Sequence, residues 1–252
     1  RQKNDLTIQG EIEKALGINA SFEESLQFWS GLIRKGALSK PSSFINPVPH
    51  MSWVQGKDNV SFLKKRQEAL VTHPLFEEME YADDPATLAE WLPLMMARRD
   101  MTKPMAATRV AHGTDINFGE LTRSMGQYLS HEDSVDYWLS TLVTGLKKVR
   151  DRWHVTTKHA LAGKRTIEAR FVFVGAGGCA LPLLQKADVD EVRGYGGFPV
   201  SGIWLASENI KAATIHNAKV YGVPPVGAPP MSVPHLDTRV IDGRPALLFG
   251  PF

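Results

Sequence analysis

Three residues near the C-terminus are His235, Asp237 and Arg239. Their types and spacing fit a site that binds a substrate carboxylate and removes a proton from a hydroxyl group of the same substrate. If Pro229 to Gly243 forms a strand and a hairpin turn, the alternation of side chains places all three on one face. Histidine can accept a hydroxyl proton near neutral pH, a carboxylate can orient its ring, and arginine can hold a substrate carboxylate. The same spacing also fits a solvated strand with a surface Asp–Arg pair, and spacing alone slightly favours that alternative.

A second segment, Phe171 to Leu184, has the pattern of a buried strand, a glycine-rich turn at Gly175, Ala176, Gly177 and Gly178, and an apolar helix. Glycine lets the backbone approach a ligand closely, and a helix N-terminus offers unpaired N–H groups to negative charge. The pattern predicts a nucleotide-binding turn. A complete dinucleotide site needs an acidic residue about 20 positions later, which is missing here. A glycine turn that only packs a helix against a sheet is therefore the alternative.

The other histidines give weaker signals. His50 lies between Pro49 and Met51 in an apolar setting, which favours a hydrogen-bonded core histidine over a second substrate contact. No metal-ligand spacing is apparent, and neither a Gly-x-Ser-x-Gly elbow nor a phosphate loop with Lys-Ser or Lys-Thr is present. The sequence therefore offers no support for a metal site, a hydrolase or a nucleoside triphosphatase.

Composition narrows the class of protein. The 252 residues are 43% hydrophobic and 22% charged, which is typical of a globular protein and excludes disorder of the whole chain. The 29 Lys and Arg nearly balance the 27 Asp and Glu, so a nucleic-acid partner is not expected. The single cysteine, Cys179, cannot form an internal disulfide, which fits a reducing cytoplasm. No run approaches the roughly 20 apolar residues that a membrane span needs.

Hydrophobic periodicity predicts helices in the first third of the chain. A helix is expected over 22–34, with Ser21 and Glu24 as a capping box, because its apolar residues recur at three-to-four-residue spacing. Asp58 is expected to cap a second helix, and a shorter helix is expected over 86–95. Short strands are expected at 43–45 and 50–54.

From Gly113 onward the pattern indicates an α/β region followed by β structure. We expect a helix over 118–129, a hairpin formed by 142–149 and 153–157, and a strand over 166–174. The proline-rich stretch 223–234 favours extended backbone, and Asp242-Gly243 is typical of a hairpin turn. The last quarter of the chain is therefore expected to be mostly β.

Several long segments together resemble the FAD-dependent malate:quinone oxidoreductase family, from about Ile12 to the last residue. The segments that carry the resemblance are Ser43–Ser52, Gly113–Gly119, Phe171–Leu184, Gly196–Val200, Lys219–Gly222 and Gly227–His235. The stretch from Val233 to Gly243 is also similar to the corresponding part of L-2-hydroxyglutarate dehydrogenases. Both likenesses favour a catalytic role for this strand over a solvated surface.

The resemblance implies a flavoprotein with FAD as cofactor, which oxidises (S)-malate to oxaloacetate in the tricarboxylic acid cycle and passes the electrons to quinone. It implies a cytoplasmic enzyme held peripherally at the inner face of the cell membrane. Family members open with a strand and a pyrophosphate-binding glycine turn and continue beyond the segments seen here. The chain is therefore expected to be an internal fragment, with Gly175, Ala176, Gly177 and Gly178 as a second flavin-domain turn.

The expected fold class is α+β, an incomplete amino-acid-oxidase-like fold in which an α/β FAD-binding portion joins an antiparallel β substrate domain. Residues 1–112 are assigned to helical and substrate-domain segments, 113–190 to the FAD-binding domain, and 191–252 to the substrate-binding domain. The FAD-binding assignment requires Phe173, Val174 and Gly175 to lie in a sheet.

By the same resemblance, His235 is the expected base for the malate hydroxyl and Arg239 the expected carboxylate ligand. Asp237 and His50 are expected substrate contacts. Two alternatives stay open. The enzyme could be a flavin dehydrogenase for another 2-hydroxy acid such as 2-hydroxyglutarate, or these 252 residues could fold as a non-catalytic fragment that holds no cofactor.

Overall fold

A computed structural model describes residues 8–197, 199, 201–222 and 233–252, and the chain divides into two compact units. The first unit comprises Arg1–His131 and Gly202–Phe252, and the second comprises Glu132–Ser201. Residues 113–131, predicted to belong to the FAD-binding portion, therefore lie in the same unit as the C-terminal segment. Which unit corresponds to the FAD-binding domain and which to the substrate domain stays a prediction.

The helices are α1 (Ile8–Arg34), α2 (Lys57–Leu70), α3 (Pro85–Trp91), α4 (Pro93–Met96), α5 (Phe118–Ser130), α6 (Ala180–Lys186) and α7 (Ile210–His216). The strands are β1 (Ile45–Pro47), β2 (His50–Gln55), β3 (Glu80–Ala82), β4 (Met105–Val110), β5 (Thr114–Ile116), β6 (Thr141–Val149), β7 (Arg152–His159), β8 (Gly163–Ala169), β9 (Leu205–Ser207), β10 (Lys219–Gly222), β11 (His235–Ile241) and β12 (Arg244–Gly250).

The first unit is built around a seven-stranded sheet in the order β3-β4-β2-β10-β11-β12-β9. β10 runs parallel to β2, and the other neighbouring strands are antiparallel. A separate antiparallel pair, β1 and β5, contacts β11. The parallel contact is the point at which the N-terminal strands and the C-terminal strands join into one sheet.

Apolar side chains cover both faces of this sheet in part. On one face, Met51 and Val220 pack against Leu88, Leu92 and Met96 of the α3–α4 region. On the other face, α2 covers only the end formed by β2 and β4, where Val54, Leu63 and Ala106 form a small buried cluster. That second face, beyond the part covered by α2, carries Lys219 and Tyr221 of β10 and His235, Asp237 and Arg239 of β11.

The N-terminal helix is longer than the sequence predicts. The apolar stripe that buries Trp29 continues back through α1, which begins at Ile8 among the described residues. The predicted capping box at Ser21 and Glu24 is wrong, because the Ser21 hydroxyl lies inside the helix and donates to the Gly17 carbonyl at 3.1 Å. A serine inside a helix can bond back to the preceding turn, so the motif alone does not define a helix start.

Two other helix boundaries differ from the prediction. α2 begins at Lys57 after Gly56, whose φ of 97° suits glycine, so Asp58 lies in the first turn and is not the cap. The helix expected over 86–95 is divided into α3 and α4 at Leu92 and Pro93. Proline lacks an N–H group and disfavours helical backbone in the residue before it, which accounts for the break.

The predicted helix over 118–129 is confirmed as α5, where Asn117 Oδ1 accepts the Glu120 N–H at 3.1 Å. The last quarter is mostly β, as expected. β11 and β12 form a hairpin through Asp242 and Gly243, whose φ values of 47° and 77° are those of a tight hairpin turn. Residues 223–232 of the proline-rich prediction lie outside the described residues.

The second unit contains the antiparallel sheet β6-β7-β8 followed by α6. The predicted β6–β7 hairpin is confirmed. The predicted strand over 166–174 is confirmed for 166–169, which lie in β8, and is wrong beyond Ala169, because residues 171–176 lie in no strand. Phe171 and Phe173 are 78% and 84% exposed. A buried strand needs neighbours on its edges and apolar cover, and no described strand pairs with this segment. The sheet position that the FAD-binding assignment required for Phe173, Val174 and Gly175 is therefore not observed.

Among the described residues, no helix combines the length and the apolar character that crossing a bilayer requires.

Candidate active site

Strand β11 places three of the predicted site residues on one face of the seven-stranded sheet. β11 is regular from His235 to Ile241, so the side chains of His235, Asp237 and Arg239 point to the same side. The alternate residues, such as Thr238, face α7, where the Thr238 hydroxyl donates to the Ala213 carbonyl at 3.1 Å. The predicted period of two is therefore present, and its polar side is the sheet face that α2 leaves uncovered.

The neighbouring strands bring further residues to this face. Lys219 of β10 pairs with Asp237 across the antiparallel ladder and with His50 of β2 across the parallel ladder. His50 therefore shares the face with His235 although 185 positions separate them in the sequence. Sequence reasoning missed Lys219 and Tyr221, whose segment carried only the family resemblance.

An aromatic row crosses this face. The ring centroids of Tyr221 and His235 are 4.6 Å apart, those of Trp204 and His235 are 6.1 Å apart, and those of His50 and Tyr221 are 6.0 Å apart. All three contacts are edge to face, which is a favourable geometry for aromatic rings. Burial raises the pKa of Tyr221 to about 12, so its hydroxyl stays protonated at neutral pH. The row holds the His235 ring between two aromatic side chains.

A fully buried acid, Asp115 of β5, contacts both cations of the candidate face, Lys219 and Arg239. Its Oδ1 lies 2.6 Å from Nε of Arg239 and 2.8 Å from Nζ of Lys219, and its Oδ2 accepts the Val240 N–H at 2.9 Å. The Arg239 side chain is 33% exposed and the Asp115 side chain is 0% exposed. Arginine carries four further N–H donors on its Nη atoms, so it can bind Asp115 and a substrate carboxylate together.

Asp237 is the second buried acid of the face, with 4% of its surface exposed. Burial raises its pKa above the ordinary value of 3.8, although the neighbouring side chains of His235, Lys219 and Arg239 oppose the shift. Its Oδ1 has no hydrogen-bond partner among the described residues. A polar atom that is buried and unpaired in this way is available to a ligand.

His50 is held rigidly at the edge of the face. Its Nε2 lies 2.8 Å from the Thr114 carbonyl oxygen, which can only accept, so Nε2 carries the proton and donates. Burial lowers the pKa of His50, which favours the neutral ring. A Cβ on Gly113 would lie 2.4 Å from His50 Cδ2, so glycine is required there. His50 is thus hydrogen-bonded like a core histidine while lying on the candidate face.

The glycine turn predicted to bind the cofactor lies in the second unit. Gly177 has a φ of +52° and begins a short 3-10 turn that leads into α6. A Cβ built on Gly177 or on Gly178 would have no described atom within 4 Å, whereas one on Gly175 would lie 3.2 Å from the Phe173 ring. Packing among the described residues therefore does not require glycine at 177 or 178, and the space beside the turn is open.

A separate cavity of about 920 Å³ lies on the opposite side of the seven-stranded sheet. Trp53, Val220 and Leu236 line it, and these side chains face away from His235 and Arg239. The size of a cavity therefore does not identify the candidate site. The assignment rests instead on the acids, histidines and cations that lie together on the other face of the sheet.

Two solved structures share this fold. L-Proline dehydrogenase from P. horikoshii aligns with a TM-score of 0.59 at 15% identity, covering 91% of this chain and 54% of that one. Glycine oxidase from Geobacillus kaustophilus aligns with a TM-score of 0.55 at 13% identity, covering 82% and 48%. They confirm the predicted α+β, amino-acid-oxidase-like fold class.

A family model described as malate:quinone oxidoreductase matches residues 1–252. A probable malate:quinone oxidoreductase of Methylobacillus flagellatus is 57% identical over 242 residues, which are 96% of this chain and 49% of that protein. A probable malate:quinone oxidoreductase 2 of Pseudomonas aeruginosa is 53% identical over 243 residues, covering 96% and 48%. The chain spans about half the length of the curated relatives it matches. By these matches, the chain belongs to the malate:quinone oxidoreductase family.

Proposed function

We propose that these residues form part of a flavin enzyme that oxidises (S)-malate to oxaloacetate and passes two electrons to a quinone. The observation that carries the proposal is the single sheet face on which His235, His50 and Tyr221 lie beside the cations Arg239 and Lys219. Malate at neutral pH is a dicarboxylate with one hydroxyl group. A face with a base next to anchored cations suits the binding and deprotonation of such a molecule.

Arg239 binds a malate carboxylate through its Nη groups while Asp115 holds its Nε. An imidazole nitrogen of His235 accepts the proton of the C2 hydroxyl as the hydrogen on C2 leaves with its bonding electrons. The C2–O bond becomes a carbonyl, so malate loses two electrons and two hydrogens in total. Tyr221 and Trp204 orient the His235 ring, and the unpaired Oδ1 of Asp237 and the ring of His50 offer further polar contacts.

FAD is the cofactor that this function requires, and it supplies the acceptor for the two electrons removed from C2. Gly175, Ala176, Gly177 and Gly178 are the residues of this chain that would approach its phosphates. The fit rests on the positive φ of Gly177 and on the open space above Gly177 and Gly178, which lets a ligand lie against the backbone.

The variant His235→Gln in the full-length protein tests the base. Loss of a general base typically lowers turnover by about 10²- to 10⁴-fold, so kcat is expected to fall by that amount while flavin stays bound. The matched control is His112→Gln, which changes an exposed histidine of the same unit that pairs with Glu78. Flavin content is measured beside malate turnover. Near-normal kcat in a fully loaded variant would show that His235 is not the base.

A substrate comparison tests the acid that is oxidised. Malate, lactate and 2-hydroxyglutarate differ in the number and spacing of their carboxylates, and the proposal requires the highest kcat/KM with malate. Higher efficiency with 2-hydroxyglutarate would assign the site to that acid instead. The alternative of a non-catalytic fragment is tested with the 252-residue chain alone, which we expect to bind added FAD weakly or not at all.

Quinone is apolar and resides in the bilayer, so its reduction requires contact with a membrane surface. We therefore place the full-length enzyme peripherally at the cytoplasmic face of the membrane. Cell fractionation measures this directly. Recovery of all activity in the soluble fraction, with no reduction of membrane quinone, would remove the membrane part of the proposal.

A further inference from the structure

Asp115 is the most deeply buried charge of the candidate face, and the sequence pattern assigned it no role. It belongs to β5, which pairs with β1 through Asn46 and lies outside the seven-stranded sheet. From there its carboxylate reaches the backbone of β11 at Val240 and the side chains of Arg239 and Lys219. One carboxylate therefore joins β5 to two strands, β10 and β11, that lie more than 100 positions later in the sequence.

The surroundings of Asp115 fix Arg239 in position. A carboxylate that is 0% exposed needs strong partners, and here it has two cations and one N–H group. Because one oxygen, Oδ1, contacts both cations, Asp115 also screens Lys219 from Arg239 and allows them to lie near each other. Without this charge the two cations would repel, and the guanidinium would lose the contact that holds its Nε.

The two cations that contact Asp115 differ in how far their side chains are exposed to solvent. The Lys219 side chain is only 9% exposed, whereas that of Arg239 is 33% exposed. Lys219 is thus enclosed with Asp115, while Arg239 extends from the enclosed cluster toward the open face. A guanidinium held at Nε presents its remaining donors in a fixed plane, which is the arrangement that bidentate carboxylate binding needs.

We propose that Asp115 is a positioning residue for substrate binding, which holds the Arg239 guanidinium in the orientation that receives a substrate carboxylate. The inference rests on the proposed function. It assigns to a residue of the β1–β5 pair the control of affinity for the acid, while proton transfer remains with His235.

The test is Asp115→Asn in the full-length, flavin-loaded protein. Asparagine keeps the shape and can still accept the Val240 N–H, but it carries no charge for Arg239 or Lys219. The KM for malate is expected to rise by about 10- to 100-fold, the range for a lost contact with a charged partner, with a smaller change in kcat. The Kd for malonate, a dicarboxylate with no hydroxyl to oxidise, is expected to rise in parallel.

A matched control is Asp242→Asn, which removes another Asp–Arg pair of the same unit, the exposed contact of 2.9 Å with Arg123. Its KM is expected to equal that of the unmodified protein. A double variant, Asp115→Asn with Arg239→Gln, is expected to have the KM of Arg239→Gln alone, because Asp115 acts through Arg239. Independent, multiplying effects of the two changes would overturn the inference, as would an Asp115→Asn variant with unchanged KM.

If Asp115→Asn does not fold, Asp115→Glu serves in its place, because it keeps the buried charge and moves the carboxylate by one methylene. The inference requires a raised KM in this variant at equal flavin content, and an unchanged KM would contradict it. Failure of the proposed function has a different signature, since the unmodified protein would then not oxidise malate at all.

Discussion

Asp237 illustrates how burial sets the chemistry of a single residue on the candidate face. Its carboxyl group is enclosed, and desolvation raises its pKa above 3.8 despite nearby cations. An acid whose pKa is raised by folding binds its proton more tightly in the folded state. Its stabilising contribution is therefore complete below pH 3.8 and is lost as the pH rises through the folded pKa.

The variant Asp237→Asn should remove that loss, because the amide is neutral at every pH. We expect the unfolding free energy of the variant, relative to the unmodified protein, to increase as the pH rises above 3.8. Urea unfolding at several pH values measures the difference. Asp242→Asn, which changes an exposed carboxylate, is the control and should track the unmodified protein. A difference that is independent of pH would contradict the assigned shift.

The candidate site shows which residues a linear pattern can identify. The shared face of His235, Asp237 and Arg239 was predicted because alternation along one strand is a local property, whereas their selection as site residues came from the family resemblance. Asp115 and Lys219 were not predicted, because their roles depend on contacts of Asp115 with Arg239 and Lys219, across 124 and 104 positions of sequence, that only the folded sheet creates. An acid in a short polar segment has no signal of its own until its partners are known.

At the scale of elements, α7 and β11 are joined through a buried histidine. His216, the last residue of α7, is 2% exposed, and its Nε2 donates to the Leu236 carbonyl at 2.8 Å. Its Nδ1 has no partner within the described part of the chain. Burial lowers the pKa of His216 below 6.5, so the ring is held neutral. The hydrogen bond helps to fix the strand that carries His235.

Because the pKa of His216 is lowered by folding, its contribution to stability is complete above pH 6.5 and is lost as the pH falls through the folded pKa. His216→Gln keeps an N–H donor for Leu236 and removes the titrating ring. We expect the variant to lose about 1 kcal/mol at pH 7 from imperfect packing, and to lose less than the unmodified protein on acidification. His112→Gln, at an exposed position, is the control. Equal acid sensitivity in both variants would exclude His216 as a cause.

Element boundaries followed local signals where those signals were sufficient. The α5 helix and the β6–β7 hairpin have their caps, turns and periodicity within a few residues, and both were predicted. The strand expected over 171–174 failed because a buried strand is defined by its neighbours, and the described residues give this segment none. The break between α3 and α4 was missed although Pro93 marks it, because the periodicity of the apolar residues continues across the proline.

At the scale of the whole molecule, the two units carry two different requirements of the proposed enzyme. The first unit holds the proposed base and the cations, and the second holds the glycine turn. The relatives are about twice as long as this chain. Phe171 and Phe173, next to the turn, are large apolar side chains that are mostly exposed in the described structure. Flavin binding is therefore a property to be measured on the full-length protein.

The glycine turn permits a test in which backbone strain is matched. Gly177 and Gly163 both have positive φ, +52° and +75°, and a Cβ on either would have no described atom within 4 Å. Alanine at each position costs about 1 kcal/mol in strain, since left-handed backbone disfavours a side chain. Only Gly177 lies in the turn proposed to approach the FAD phosphates. We therefore expect Gly177→Ala to lower the flavin content of the purified full-length protein, and Gly163→Ala to leave it unchanged.

Visible absorbance relative to protein absorbance gives the flavin content, and thermal melting confirms that both variants are equally folded. Equal flavin content in the two variants would mean that the open space beside Gly177 does not receive the cofactor, and the glycine would then be explained by its backbone conformation alone.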